Sequence, residues 1–457
     1  MRRLLAVIAA AVALPSAAAP VALVVMGDGG AIARAVTTDA ACPVLVVDGR
    51  TAVMAVRFAP ATVPQRVTQS TPGNSKPSAF PVTVCDAPLP PTARRASIAG
   101  VPLPLLKRIV RRIVVIGDTV CRMKAADSAS QACNDPAKFP FAHIAAAAAH
   151  ERPDLIVHVG DYHYRENPCP AGNAGCAGSV WGYGWDAWDA DFFTPAAPLL
   201  AAAPLAPVRG NHESCVRAGQ GWWRLLDGHA AGGHDCGIAA NDIRDDWSTP
   251  YAVPLGHGAQ LVLIDLAAAS NSPLTADDWR RAAFERSYQT VAALAKHARF
   301  TFAANHHPVL GIAATAKSGT TTLIGGNAAI QSVWGAHGVR QFPPGVDVVL
   351  SGHYHLWEQV SFAGDVPSQF VAGFSGTLED VVPIPARLPP GTVPAPGVTP
   401  EHFASWIDGF GYMVLDRAGA RRWRATVHAG DGRVVNRCMI SGQHSRCDRA
   451  FVPASPG

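Results

Sequence analysis

The octapeptide VVLSGHYH at residues 348–355 joins an apolar, strand-like run to two histidines that are separated by a single tyrosine. Successive side chains of an extended segment point to opposite faces, so His353 and His355 point to the same side. Imidazoles are common ligands of zinc, copper and iron ions. The segment therefore predicts a β-strand that ends at a pair of metal ligands.

Four further motifs precede this one, and each also follows an apolar run. They are Gly117-Asp118-Thr119, Gly160-Asp161-Tyr162-His163-Tyr164, Gly210-Asn211-His212-Glu213 and Asn305-His306-His307-Pro308. A Gly-Asp pair alone is more often a plain turn, because both residues favour turns. Five such motifs in succession favour a common site, because ligand sites of α/β sheets lie at the carboxyl ends of the strands.

The motifs supply carboxylate, phenol, amide and imidazole groups. The candidate ligands are Asp118, Asp161, Tyr164, Asn211, His306, His353 and His355. Two metal ions about 3.5–4 Å apart can acidify a water molecule and clamp a phosphate group for in-line displacement. Such a pair needs a bridging carboxylate with a mixture of oxygen and nitrogen donors. The set predicts a two-metal phosphoester hydrolase.

The motifs resemble those of the calcineurin-like metallophosphoesterase superfamily. Tyr164, three residues after Asp161, resembles the purple acid phosphatase branch. The resemblance implies one metal ion held by Asp118, Asp161, Tyr164 and His355. It implies a second metal ion held by the bridging Asp161 with Asn211, His306 and His353.

The same resemblance assigns two further histidines. The family pattern places a ligand two residues before proline, which selects His306 over His307. His212 resembles the family's catalytic histidine, which stabilises the transition state or protonates the leaving oxygen, a task suited to a group that titrates near neutrality. His163 and Arg165 flank the second motif, where they are candidates to face the substrate.

Tyr164 determines the expected metal, because a phenol with an ordinary pKa near 10 binds well only to a strongly acidifying ion. The resemblance implies Fe(III) paired with divalent Fe, Zn or Mn. Val120 departs from the family pattern, which has glycine or a histidine ligand two residues after the first aspartate. Valine cannot bind a metal, so the histidine-ligand branch is disfavoured, and its β-branched side chain crowds a tight turn.

Residues 1–18 have the pattern of a secretory signal peptide, with Arg2 and Arg3, a short apolar core and small residues near its end. We therefore expect a secreted or periplasmic protein. Ten cysteines follow, and in an exported protein they are expected to form disulfides. No CxxC pair occurs, which disfavours a metal role for them. The simplest connectivity joins neighbours, Cys42–Cys85, Cys121–Cys133, Cys169–Cys176, Cys215–Cys236 and Cys438–Cys447, although the sequence leaves other pairings open.

The chain has 457 residues, enough for two domains, and 49% of them are hydrophobic. The resemblance implies an α/β catalytic domain at 109–457, with a β-sandwich core flanked by helices. Residues 19–108 are rich in Val, Thr and Pro, which predicts a small N-terminal all-β domain, comparable to the fibronectin-like domain of larger purple acid phosphatases. Helices are expected at 141–150 and 275–297.

The expected substrate is a small-molecule phosphoester. No basic run interleaved with aromatic residues indicates a nucleic-acid partner, no mature segment reads as a membrane span, and the oligomeric state stays open. We expect a phosphomonoesterase that uses a metal-bound hydroxide for in-line attack. The alternatives are a phosphodiesterase or nucleotidase with the same site, and a secreted binding protein built on this scaffold without catalysis.

Overall fold

The computed structural model describes residues 19–67, 72–317, 319–385, 388–389 and 391–449. The predicted signal peptide at 1–18 lies outside the described residues. Within them, none of the helices combines the length and apolar character that crossing a bilayer requires.

The strands are, in chain order, β1 (Val21–Gly27), β2 (Gly30–Thr37), β3 (Leu45–Val47), β4 (Arg50–Ala52), β5 (Ala55–Phe58), β6 (Ala61–Val63), β7 (Ser78–Phe80), β8 (Thr83–Pro88), β9 (Ala96–Ile98), β10 (Val101–Pro102), β11 (Arg112–Ile116), β12 (Met123–Lys124), β13 (Ala129–Ser130), β14 (Leu155–His158), β15 (Leu205–Pro207), β16 (Tyr251–Gly256), β17 (Ala259–Leu263), β18 (Phe300–Ala304), β19 (Ala313–Lys317), β20 (Thr320–Ile324), β21 (Val348–Ser351), β22 (Trp357–Phe362), β23 (Ser368–Ala372), β24 (Pro400–Trp406), β25 (Gly411–Arg417), β26 (Arg422–Ala429), β27 (Val434–Ser441) and β28 (His444–Cys447). The α-helices are α1 (Phe141–His150), α2 (Trp185–Trp188), α3 (Thr194–Ala202), α4 (Gly219–Leu225), α5 (Asp242–Asp245), α6 (Trp279–Ala295) and α7 (Ala328–Trp334).

Two large sheets form the centre of the molecule. One has eleven strands in the order β28-β27-β26-β25-β11-β14-β15-β1-β2-β8-β5, and the other has seven in the order β16-β17-β18-β21-β23-β22-β24. Side chains from both sheets, among them Val115, Val157, Phe302 and Leu350, share one buried cluster, so the sheets pack face to face. The predicted β-sandwich core is confirmed.

Helices cover the outer faces of both sheets. Phe141 of α1 and Leu199 of α3 are buried with residues of the eleven-stranded sheet, whereas Phe284 of α6 and Trp334 of α7 are buried with the seven-stranded sheet. The predicted helix at 141–150 is observed with those bounds. The second helix begins later than predicted, because the Asp278 carboxylate accepts the Arg280 amide at 2.9 Å and caps it there.

The central strands of each sheet run parallel, as in β11-β14-β15 and β17-β18-β21. The carboxyl ends of such strands meet at one edge. The apolar residues before the third motif belong to two elements, because Leu199 lies in helix α3 and the strand that leads to Asn211 starts at Leu205.

The N-terminal region has a small core of its own between two sheets. Leu45 and Ile98 of the four-stranded sheet β10-β9-β3-β4 pack on Val24, Ala35 and other residues of β1, β2 and β8. The predicted all-β region is confirmed. Its strands also extend the eleven-stranded sheet, because β1 pairs in parallel with β15. The division at residue 108 stays a prediction.

All ten cysteines are paired as sequential neighbours, with Cys42–Cys85, Cys121–Cys133, Cys169–Cys176, Cys215–Cys236 and Cys438–Cys447. The simplest connectivity is therefore confirmed. Three of these loops begin within a few residues of the first, second and third motifs, where they restrict chain segments that would otherwise be mobile.

A buried ion network joins the N-terminal strands to the segment after α4. Asp86 accepts from Arg34 at 2.7 Å and from Arg57 at 3.1 Å, and Arg57 also pairs with Asp227 at 3.1 Å. Burial opposes ionisation of Asp86, but the two guanidinium groups outweigh it and hold the pKa of this carboxyl below its ordinary value.

We predict that Asp86→Asn lowers the free energy of unfolding by roughly 3 kcal/mol, because it leaves two buried guanidinium groups without their shared partner. A lowered carboxyl pKa stabilises the fold above the unfolded pKa and loses that contribution as pH falls through the folded pKa. The wild type should therefore approach the variant in acid. Urea unfolding at neutral and acidic pH measures both effects, with the exposed Asp39→Asn as control. Equal stabilities at neutral pH would contradict the prediction.

Candidate metal centre

Three candidate ligands have left-handed backbone conformations at the ends of strands. The φ angles are 51° for Asp118, 59° for Asp161 and 69° for His353. This conformation is uncommon for residues other than glycine, and when it persists it often marks a functional site. The left-handed turns end the strands abruptly and bring all three residues to one edge of the sandwich.

One group of candidate ligands surrounds the Asp161 carboxylate. Ligand atoms of Asp161, His306 and His353 all lie within 4.8 Å of one another. The Asn211 amide oxygen lies 3.0 Å from both His306 Nε2 and His353 Nδ1. His306 Nδ1 donates to the Val159 carbonyl at 2.8 Å, which leaves Nε2 directed at the group. His306, which the sequence selected over His307, thus lies in this group.

A second group surrounds Asp118. Its Oδ1 lies 3.4 Å from His355 Nε2, and its Oδ2 accepts the His353 amide at 3.0 Å. His355 Nδ1 donates to the Leu378 carbonyl at 2.8 Å, so the opposite nitrogen is again the one that faces the carboxylate. The Tyr164 ring is buried with its centroid 5.9 Å from that of His355. All seven candidate ligands thus converge on one region.

Two carboxylate oxygens in this region are sealed from solvent without a hydrogen bond. They are Oδ1 of Asp118 and Oδ2 of Asp161, and among the described residues neither has a hydrogen-bond partner. Burying a charged oxygen without compensation is costly, so such groups are normally paired or bound to metal ions. The two oxygens, with imidazole nitrogens 3.3–3.4 Å away, fit a pair of metal ions.

The electrostatics of the region also favour positive charge. Burial opposes protonation of His306, but the Asp161 carboxylate outweighs it and raises the pKa of His306 to about 9. Asp380 and Asp118 likewise raise the pKa of His355 to about 9 against burial. Burial raises the pKa of Asp118 to about 6. The carboxylates therefore stabilise cationic charge on the atoms that face them.

His212 lies beside both groups in a buried cluster that the sequence did not reveal. Its Nδ1 lies 2.6 Å from Glu166 Oε1, and its Nε2 lies 2.7 Å from Arg217 Nη2 and 3.9 Å from Asp161 Oδ2. Burial, followed by the Arg217 guanidinium, lowers the pKa of His212 well below its ordinary value. Burial and Arg217 thus favour the uncharged imidazole, and whether His212 has the catalytic role expected from the sequence stays a prediction.

Glu213 connects the second and third motifs through backbone hydrogen bonds. Its carboxylate accepts the amides of Gly210 at 3.0 Å, Asp161 at 3.1 Å and Tyr162 at 2.8 Å. Gly210 is required there, because a Cβ atom on it would lie 2.1 Å from the Asp161 carboxylate. In the sequence, only the position of Glu213 next to Asn211 and His212 in the third motif pointed to its connection with the site.

Three residues in or next to the first two motifs are buried and bonded within the protein. His163 is buried and bonded to the Gly182 carbonyl at 2.8 Å, and Arg165 is buried against Asp191 at 2.6 Å, so neither faces the substrate as suggested. Val120 is buried, and its amide donates to the Thr377 hydroxyl. The turn thus accommodates valine while Asp118 stays at the site.

The comparisons with known proteins agree with this geometry. A family model described as calcineurin-like phosphoesterase matches residues 111–356. No curated protein matches the sequence. Among solved structures, the purple acid phosphatase PPD1 from yellow lupin (Lupinus luteus) seeds is similar, with a TM-score of 0.52 and 15% identity over 93% of this chain and 74% of that chain. PhoD is similar with a TM-score of 0.50 and 10% identity over 96% of this chain and 92% of that chain.

At these identities the two solved structures show a shared fold and nothing finer. The family match spans more than half of the 457 residues and contains all five motifs. The chain therefore belongs to the calcineurin-like phosphoesterase family and is a metal-dependent phosphoester hydrolase.

Proposed function

We propose that this protein is an exported phosphomonoesterase of purple acid phosphatase type. The observation that carries the proposal is the pair of sealed carboxylate oxygens on Asp118 and Asp161, with the Tyr164 ring between His212 and His355. Five disulfides support export to a secreted or periplasmic location, because disulfides persist in oxidising compartments.

Two metal ions are assigned to the two groups of ligands. Asp118, Asp161, Tyr164 and His355 would hold one, and Asp161, Asn211, His306 and His353 would hold the other. Tyr164 favours Fe(III) in the first position, with divalent Fe, Zn or Mn in the second. When bound, such a pair acidifies a water molecule and neutralises charge on the phosphoryl oxygens.

The protein's own residues orient the substrate side of the centre. Glu166 fixes the orientation of the His212 ring through Nδ1, and Nε2 lies 2.7 Å from Arg217 Nη2 and 3.9 Å from Asp161 Oδ2, beside the metal ligands. Arg217 lies next to His212, where its guanidinium is paired with the buried Glu166 carboxylate and so holds this cluster together.

We expect purified, disulfide-intact protein to hydrolyse p-nitrophenyl phosphate faster than bis-p-nitrophenyl phosphate at acidic to neutral pH. The measurement is steady-state release of nitrophenol from both esters across the pH range. Faster hydrolysis of the diester would reassign the function to a phosphodiesterase or nucleotidase. Hydrolysis of neither by protein with two bound metal ions would favour the binding-protein alternative.

We predict that Asp161→Asn loses both metal and activity, because a neutral amide cannot replace the bridging carboxylate. Loss of a residue that only orients a metal ligand typically lowers activity by roughly 10–100-fold. The turnover of Asp161→Asn should fall by more than that. Elemental analysis of the folded variant and p-nitrophenyl phosphate turnover measure the two losses. Asp189→Asn, at a partly exposed position bonded to Thr194, is the control. An Asp161→Asn protein that kept both metals and full turnover would refute the bridging role.

We predict that Tyr164→Phe removes a visible tyrosinate-to-Fe(III) absorption band. Tyr162→Phe is the matched control, because Tyr162 is buried two residues away with its hydroxyl bonded to the His158 carbonyl. Absorption spectra of the oxidised, fully metallated proteins make the comparison. If the wild type has no such band, the iron assignment is wrong and a zinc or manganese centre replaces it.

A further inference from the structure

A cavity lies at the end of the sandwich opposite the candidate ligands. Its volume is about 740 Å³, and its wall includes Arg111, His257, Arg299 and Arg417. Arg111 immediately precedes β11, which leads to Asp118, and Arg299 immediately precedes β18, which leads to His306. Five strand residues separate the two ends of β11, so the cavity is roughly 15 Å or more from the metal centre.

The charge of this cavity is uniformly positive. Three arginines and one histidine line it, and no acidic residue does. In the part of the chain that the structure describes, no carboxylate lies within 4 Å of the guanidinium groups of Arg111, Arg299 or Arg417, although the Arg111 backbone amide donates to Asp154 at 2.7 Å. Other buried arginines of this protein are neutralised, as Arg34 is by Asp86 and Arg209 by Asp246. The cavity therefore holds a concentration of positive charge that the fold leaves uncompensated.

Arg417 is held in place by the backbone. Its Nε donates to the Val110 carbonyl at 2.9 Å, its Nη2 donates to the Leu255 carbonyl at 2.8 Å, and its guanidinium carbon lies 4.5 Å from the Trp423 ring centroid. Its Nη1 is sealed from solvent and has no hydrogen-bond partner among the described residues. Burial lowers the pKa of this guanidinium, and carbonyl oxygens do not neutralise it. The cavity thus contains one rigidly placed positive charge.

Arg111 and Arg299 are exposed and complete the positive wall. The Arg299 amide donates to the Gly258 carbonyl at 2.7 Å, which fixes the base of its side chain at the cavity edge. Planar guanidinium groups bind phosphate, sulfate and carboxylate oxygens through paired N–H donors. The volume lies within the range of about 300–1,000 Å³ that is typical of small-molecule sites.

We propose that this cavity is a second, non-catalytic binding site for a small, multiply charged oxyanion. Arg417 supplies a fixed charge at its wall, and Arg111 and Arg299 close on the ligand from the rim. The site is independent of the metal ions and of the function proposed above, because none of its residues belongs to the metal centre.

The test measures binding of the fluorescent trianion naphthalene trisulfonate to the full-length, metal-loaded protein. This probe has no phosphoester to hydrolyse, and fluorescence anisotropy reports its binding directly. We expect saturable binding that weakens as salt is added. Arg111→Ala/Arg299→Ala should weaken it by roughly tenfold, because two exposed charge contacts are lost.

The matched control is Arg433→Ala/Arg437→Ala, which removes two exposed arginines in or beside β27, away from this cavity, and changes the net charge equally. It should bind the probe as the wild type does, and both double variants should hydrolyse p-nitrophenyl phosphate at the wild-type rate. Equal weakening in the two double variants, or no saturable binding, would overturn the proposal. The proposal would also be overturned if the probe inhibited hydrolysis competitively and still did so in Arg111→Ala/Arg299→Ala, because the probe would then occupy the metal centre.

Discussion

Two sealed carboxylate oxygens, on Asp118 and Asp161, impose the main constraint on this fold. An uncompensated carboxylate in a protein interior costs several kcal/mol, so surrounding structure must hold it in place. Parallel strands bring both residues to one edge, and left-handed turns direct them inward. The opposing sheet supplies imidazoles such as His306, whose other nitrogen is bound to the Val159 carbonyl. The two halves of the sandwich are thus oriented by one charged centre.

The loops that carry the candidate ligands are stiffened by bonds to their backbone and not to the ligand atoms themselves. The Glu213 carboxylate binds three amides of the second and third motifs, and burial, with the nearby Asp161 charge, raises the pKa of Glu213 to about 8. Cys215–Cys236 closes the loop that follows. Preorganisation of this kind lowers the cost of assembling ligands from five separate chain segments.

The sequence predicted the features that depend on local patterns. Apolar runs that end in Gly-Asp or Gly-His located the strand ends, and each short, contiguous motif supplied candidate ligands that the fold brings to one region. Contacts between residues that meet only on folding could not be predicted from the sequence. Glu166 and Arg217 lie 46 and 5 positions from His212 in sequence, and no spacing rule pairs them with it. The parallel pairing of β1 with β15 joins residues about 180 positions apart and likewise has no local signal.

That long-range pairing links the N-terminal strands to the candidate centre. Arg57 donates to the Trp223 carbonyl and Arg34 donates to the Leu225 carbonyl, so both arginines hold the carboxyl end of α4. Helix α4 lies inside the loop closed by Cys215–Cys236, which begins only four residues after Asn211. Displacement of the N-terminal strands would therefore separate Arg57 from Asp227, remove the donors of the Trp223 and Leu225 carbonyls, and loosen the segment that carries Asn211 and His212. The small β region acts as a support for the third motif and not only as an appended sandwich.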